Sequence, residues 1–309
     1  MTHARRRSGW IVAAVAALWL GTAAPGAAQE ATSIDETRPV DGDVSVEVET
    51  VTRTVRVTGG DGDELWVRGR YYPEHEEFVL EGDRGSMRIE LEPRDHGDMP
   101  EDLDYGELTI ELPRGASLEL EGVNGAATVR DVDGTVRIES VNGGVTYEGG
   151  ARSVQAETVN GAVRVDAPRA RSVSGGSVNG GVDLTVAGGN VSAETVSGDV
   201  AIRAGDPVET VRAEAVSGDI EFRGRPAASA SLSFEAHSGD VVLHLPPDLG
   251  ARLEAATFSG EIESDFGGEP RKESRWTPET SFRHAVGSGD ARISAETFSG
   301  DVRFLRNGG

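Results

Sequence analysis

The stretch VSAETVSGDVAIR, residues 191–203, decides the fold. Val191, Ala193 and Thr195 alternate with polar residues, Ser197-Gly198 interrupts, and Val200 and Ile202 resume the alternation. A period of two is the signature of half-buried strands, and valine, threonine and isoleucine suit a pleated surface. Nearly the same words return as VRAEAVSGDIEFR (211–223) and ISAETFSGDVRF (293–304). Ser197 and Asp199, two residues apart, have the look of a reactive pair. Because the pair recurs, it reads first as a unit of scaffolding.

Aligned on the dipeptide at each turn, the repeat runs through Asn124-Gly125, Asn142-Gly143, Asn160-Gly161, Asn179-Gly180, Ser197-Gly198, Ser217-Gly218, Ser238-Gly239 and Ser259-Gly260. Successive turns lie 18 to 21 residues apart, and after an interruption Ser288-Gly289 and Ser299-Gly300 close the series. Asn-Gly between alternating hydrophobics is also a hairpin signal, so an antiparallel meander competes with stacked coils. Strand lengths decide against the meander. VTYE and VAIR after the dipeptide are short, whereas VQAETV before it is longer, and hairpin arms would match. In a β-solenoid each strand pairs with its equivalent in the next coil, so unequal arms are no obstacle. The fold class expected is therefore all-β, a β-solenoid with coils of about 18–21 residues and negligible helix.

The expected divisions are a signal peptide at 1–28, a flexible linker at 29–43 and a divergent leading β part at 44–122. Regular coils follow at 123–305, with an excursion at 261–287 and a tail at 306–309. The leading part alternates without the dipeptide and is expected to cover the first exposed edge. Stacked corners bring Asn124, Asn142, Asn160, Asn179, Ser197, Ser217, Ser238, Ser259 and Ser299 into register as a ladder, asparagine on asparagine and serine on serine. The valines on both sides of the corner, such as Val159 with Val163 and Val196 with Val200, are expected to point inward. Outward lie two acidic rows, one with Glu157, Glu194 and Glu214, the other with Asp199, Asp219, Asp240, Asp290 and Asp301. Carboxylates stacked ~4.8 Å apart repel by roughly 1 kcal/mol in water. Two readings stay open for the five aspartates: hydrogen bonding to backbone or water, or weak calcium ligation. No other cofactor is expected.

The first 28 residues carry Arg5, Arg6 and Arg7, an apolar run from Trp10 to Leu20, then small residues, which is the pattern of a secretory signal. Their removal takes three arginines and no acidic residue, moving the formal charge from −23 to −26. So acidic a surface repels nucleic acid and anionic lipid and favours cationic partners. There is no cysteine, so neither disulfides nor thiolate metal sites contribute. No second apolar stretch reaches the roughly 20 residues of a membrane span. The acidic run at 90–107 reads as a solvated loop. The excursion gathers Arg271, Lys272, Arg275 and Trp276, an unusual basic and aromatic group in this chain and a candidate interaction site.

Repeated TVSGDV and VNGGV coils, then FSGEIESDFGG, a basic stretch and GSGDARISAETFSGDVRF, resemble the bacterial putative-adhesin family of β-strand-repeat proteins. The resemblance covers about residues 40–305. It implies a single-stranded right-handed β-solenoid exported to the cell envelope, acting in adhesion or envelope stress, with no enzymatic activity and no cofactor to carry over. The function expected is thus a non-enzymatic structural or interaction module binding an envelope component or protein, in the periplasm, at the surface or secreted. Two alternatives stand beside it: an extracellular polysaccharide-acting β-helix enzyme, and a calcium-stabilised passive scaffold. A hydrolase triad of His237, Ser238 and Asp240 is disfavoured, because neighbours on a strand and tight corner point in different directions.

Overall fold

The computed structural model describes residues 30–94, 103–272 and 279–307, and all regular structure among them is strand. Residues 1–28, expected as a signal peptide, lie outside the described residues, as do Arg275 and Trp276. The leading strands are β1 (Thr32–Pro39), β2 (Ser45–Thr50), β3 (Thr54–Gly60), β4 (Glu64–Tyr71), β5 (Glu76–Gly82), β6 (Ser86–Pro93) and β7 (Glu107–Pro113). Regular coils of one long and one short strand follow: β8 (Ser117–Asn124) with β9 (Ala127–Arg130), β10 (Thr135–Asn142) with β11 (Val145–Glu148), and β12 (Ser153–Asn160) with β13 (Val163–Ala167). The series continues with β14 (Ser172–Asn179) and β15 (Val182–Val186), β16 (Gly189–Ser197) and β17 (Val200–Ala204), β18 (Val208–Ser217) and β19 (Ile220–Arg223), and β20 (Pro226–Ser238) and β21 (Val241–Leu245). The closing strands are β22 (Ala251–Ser259), β23 (Ile262–Ser264), β24 (Arg271–Lys272), β25 (Thr280–Val286), β26 (Ala291–Ser299) and β27 (Val302–Arg306).

Each coil gives its long strand to one sheet and its short strand to the other, and both pair in parallel with the next coil. The coils stack in register, Asn142 opposite Asn160 and Ser197 opposite Ser217. This is the expected β-solenoid. Its core is the layer between the two sheets, which at ~10 Å separation admits one interdigitated set of side chains. Val154 and Ala156 enter it from β12, Val163 and Val165 from β13. Larger rings enter toward the C-terminal coils, where Phe222 meets Phe234 at 5.3 Å and Phe282 meets Phe304 at 5.7 Å. Tyr147 is buried by a different device: its hydroxyl donates to the Val132 carbonyl at 2.7 Å and accepts the Ala151 N–H at 2.8 Å. Burial pushes this phenol up to about 12.

The two ends depart from chain order in the same way. At the N-terminal end, β2 and β3 pair directly with β8 and β9, while the later β6 and β7 lie outside them. At the C-terminal end, β26 and β27 insert between the coil of β20 and β21 and that of β22 and β23. In each case the coil nearer the chain end is tucked inside its successor or predecessor. Antiparallel strands then cover three of the four outer edges, β4 on β7 with β1 on β4, β5 on β6, and β25 on β22, while β23 ends its sheet among the described strands. Edges so covered resist pairing with other chains.

Three expectations are corrected here. Residues 32–39, expected in a flexible linker, form β1, paired throughout with β4 from Thr32↔Tyr71 to Pro39↔Glu64. Only Ile34 of this strand is buried, so backbone pairing rather than alternation holds it. The Ser299 corner does not follow Ser259 but sits between Ser238 and Ser259. Ser288-Gly289 is no ladder corner, because it lies at the opposite end of β26 from Ser299.

Candidate functional site

The corner fixes what each coil presents. Before it, Thr158 turns inward while Val159 and Asn160 both face out, and the same pattern repeats at Thr195, Val196 and Ser197. The inward hydroxyl reaches the glycine carbonyl of the neighbouring corner: Thr158 to Gly143 at 2.8 Å, Ser177 to Gly161 at 2.9 Å, Thr195 to Gly180 at 2.9 Å. Thr195→Val keeps the shape and removes the bond, leaving the part-buried Gly180 carbonyl short of one donor. The expected loss is about 1 kcal/mol in urea unfolding.

On the outer side, Asn142 Nδ2 donates to Asn124 Oδ1 at 2.9 Å, Asn160 to Asn142 and Asn179 to Asn160 each at 2.8 Å. Ser197, Ser217, Ser238, Ser299 and Ser259 continue the same line in register. The aspartates after the corner form a second ladder: Asp199 Oδ1 accepts the Asp219 N–H at 2.9 Å, and Asp219 Oδ1 accepts that of Asp240 at 2.8 Å. Asp240 accepts that of Asp301, and Asp301 that of Glu261, each at 2.9 Å. Arg303 bridges Asp240 Oδ2 at 3.0 Å and Asp301 Oδ2 at 2.6 Å. Each carboxylate thus uses one oxygen on backbone, which accounts for the row without an ion. Asp290, exposed ahead of β26, is outside this ladder. Among the described residues no three carboxylates or histidines converge as a metal cluster.

The valines before the corner are the main correction. Val159 and Val196, expected inward, face solvent, while Val163 and Val200 are buried as expected. Alternation explains it: with Ala193 and Thr195 inward, Val196 must be outward. Val123, Val141, Val159, Val178, Val196 and Val216 form one exposed apolar row, Val196 being 45% exposed. His237, Phe298 and Phe258 extend it, with Phe298 stacked between the other two rings at 5.2 and 4.8 Å and within 9° of parallel. Beside it runs the row of Glu49, Glu121, Glu139, Glu157, Glu194, Glu214 and Glu235, interrupted at Gly176. A groove of about 1010 Å³ is lined by both rows.

The groove is negatively charged. Arg88 pairs with Glu49 at 2.8 Å, Arg137 pairs with Glu139, and Arg212 pairs with Glu214. Glu121, Glu157, Glu194 and Glu235 make no direct ion pair among the described residues, Arg137 acting on Glu121 only at longer range; Glu157 accepts only from Gln155 at 2.7 Å and Glu235 only from Ser233 at 3.3 Å. Burial against the sheet, then the charges of Glu139, Glu49 and Glu119, hold the Glu121 carboxyl above its usual range. A raised folded-state value means the ionised form destabilises the fold once pH exceeds it. Glu121→Gln is therefore expected to stabilise at pH 7 by no more than about 0.5 kcal/mol at this exposed site. In paired melts the gain should vanish as pH falls below the carboxylate range.

The other sequence candidates are dispersed. Arg271 and Lys272 form the two-residue edge strand β24, both exposed. His237 is stacked on Phe298, whereas Asp240 is engaged by Arg303 and the Asp301 N–H, so His237, Ser238 and Asp240 make no triad. In the acidic run, Asp104 pairs with Arg70, whose hydrogen bond lowers its carboxyl range, and Glu107 is lowered by Arg56 at 3.0 Å. Hydrophobicity alone groups the valines of the apolar row with the core; the alternation continued to the corner, with threonine inward, is the signal that turns them out.

Two parallel-rich sheets of stacked coils, a polar corner ladder and an apolar-acidic outer face define a β-solenoid of repeated short coils. The chain belongs to the family described as Toastrack DUF4097, whose model matches residues 36–304. It is similar to two solved structures. One is a putative adhesin from Bacteroides fragilis, at 13% identity, TM-score 0.47, covering 89% of this chain and 97% of that one. The other is a putative cell adhesion protein from Clostridium sporogenes, at 10% identity, TM-score 0.23, covering 89% and 100%. Comparison with curated proteins finds no match.

Proposed function

We propose that this chain is a non-enzymatic adhesion or interaction module of the bacterial cell envelope, exported by its first 28 residues and binding through the outer face of the long-strand sheet. The observation that carries the reading is the uninterrupted row from Val123 to Phe258 exposed beside the glutamate row, since contiguous exposed apolar surface marks interaction sites. The solenoid supplies rigidity: the regular long strands from β8 to β20 are pinned by parallel pairing on both sides, and the asparagine corners by their ladder. Membership of the family agrees with a repeated scaffold of this kind.

The test is retention of isolated cell-envelope fractions on the purified chain, beside a Val159→Ser/Val178→Ser/Val196→Ser variant. Recovery of a component by the wild-type chain and its loss with the variant is expected. Equal recovery by both would remove the outer face from the function. Degradation of a glycan in the same fractions would instead support a polysaccharide-acting enzyme.

A further inference from the structure

The outer face also constrains the form of what it binds, an inference that rests on the interaction reading above. Strands β8 to β20 are paired on both sides, so their N–H and C=O groups are spent within the sheet. A partner laid on this face gains no backbone hydrogen bonds from it and must arrive with its own satisfied. An extended peptide does not; an α-helix does.

Spacing points the same way. Rungs recur every ~4.8 Å, whereas same-face residues of an extended strand recur every ~6.6–6.8 Å and fall out of step at once. On a helix, residues alternating at i+3 and i+4 recur every ~5.25 Å and stay near register for several rungs. Charge decides the rest. Glu121, Glu157, Glu194 and Glu235 lie unpaired by any described cation beside the valines, and a second copy of this acidic face or an anionic membrane would be repelled.

We propose that the groove lined by the valine and glutamate rows is a docking site for a cationic amphipathic α-helix of a partner protein. The helix lies along the stack, its apolar stripe on Val141 to Val216 and its lysines or arginines over Glu157 and Glu194. Seven steps from β2 to β20 span ~34 Å, the length of a helix of about 22 residues.

The probe is a fluorescent peptide of three Leu-Lys-Lys-Leu-Leu-Lys-Leu heptads, titrated by anisotropy with the full chain. Controls are a same-composition peptide scrambled to remove the apolar stripe and an isomorph with glutamate for lysine. The cationic amphipathic peptide is expected to bind at least about tenfold tighter than either. Glu157→Gln/Glu194→Gln and Val159→Ser/Val178→Ser/Val196→Ser, all exposed changes, should each weaken it at least about tenfold with melting temperatures little altered. Equal binding of the scrambled peptide, or wild-type affinity in either variant, overturns the proposal. Absence of peptide binding overturns it as well. If the envelope fraction is still retained in a valine-dependent way, the interaction reading stands and only the helical, cationic partner is lost.

Discussion

Gly218→Ala is expected to cost more than about 3 kcal/mol and to lower the melting temperature by several degrees. The backbone at Gly218 has φ +144°, where side chains are strained, but contact with the next coil costs more. A Cβ there would sit 1.9 Å from the Gly198 carbonyl oxygen and 2.5 Å from its carbon. Both are backbone atoms held by parallel pairing, so neither yields without opening the stack. Gly176→Ala is the control: its Cβ would meet nothing nearer than the Glu157 Cγ at 3.5 Å, and it should be neutral or slightly stabilising. Urea unfolding of both variants measures the contrast. Equal effects would mean that corner glycines serve only chain flexibility.

Arg53→Met is expected to cost about 3–5 kcal/mol, because it strands a buried carboxylate. By register Arg53 takes, in the coil of β2 and β3, the place that Gly125 takes in the next. In the coil outside it, β6 ends at Pro93 and β7 begins only at Glu107. Arg53 and Glu76 pair with side-chain exposures of 0% and 1%. The guanidinium also donates to the carbonyls of Arg70 at 2.6 Å and Tyr105 at 2.9 Å, and Glu76 Oε2 accepts the Tyr72 N–H at 3.0 Å. One ion pair therefore ties the first corner to the leading excursion. Arg53→Met/Glu76→Met, which removes both charges, should recover much of the loss. A double variant no better than the single would show the packing of Arg53, not its charge, to be decisive.

The coil itself was legible in the sequence. Alternation through VSAETV and VAIR, broken at a Gly-containing corner every 18 to 21 residues, leaves unequal strands that only stacking pairs completely. The asparagine run was legible as well, since identical residues at a fixed period meet in register. The outer face was half legible: the alternation turns Glu194 outward, whereas hydrophobicity alone points Val196 inward although Thr195 already occupies the inward place. Threonine's role at the corner was not legible, because its partner is a carbonyl of another coil. Nor was Arg53, whose burial depends on residues 70, 76 and 105.

The sequence by itself determined the coil, its length, its corner and the ladder, because these follow from local sterics and a repeated pattern. Only the tertiary structure decided the order of the coils at the two ends. Corners such as Ser238-Gly239-Asp240, Ser259-Gly260-Glu261 and Ser299-Gly300-Asp301 are nearly interchangeable as stacking surfaces, so nothing local says which adjoins which. At the C-terminal end Ser299 lies between Ser238 and Ser259, and the outer strand β22 is the one that β25 covers, a pairing between separate elements that no single corner encodes.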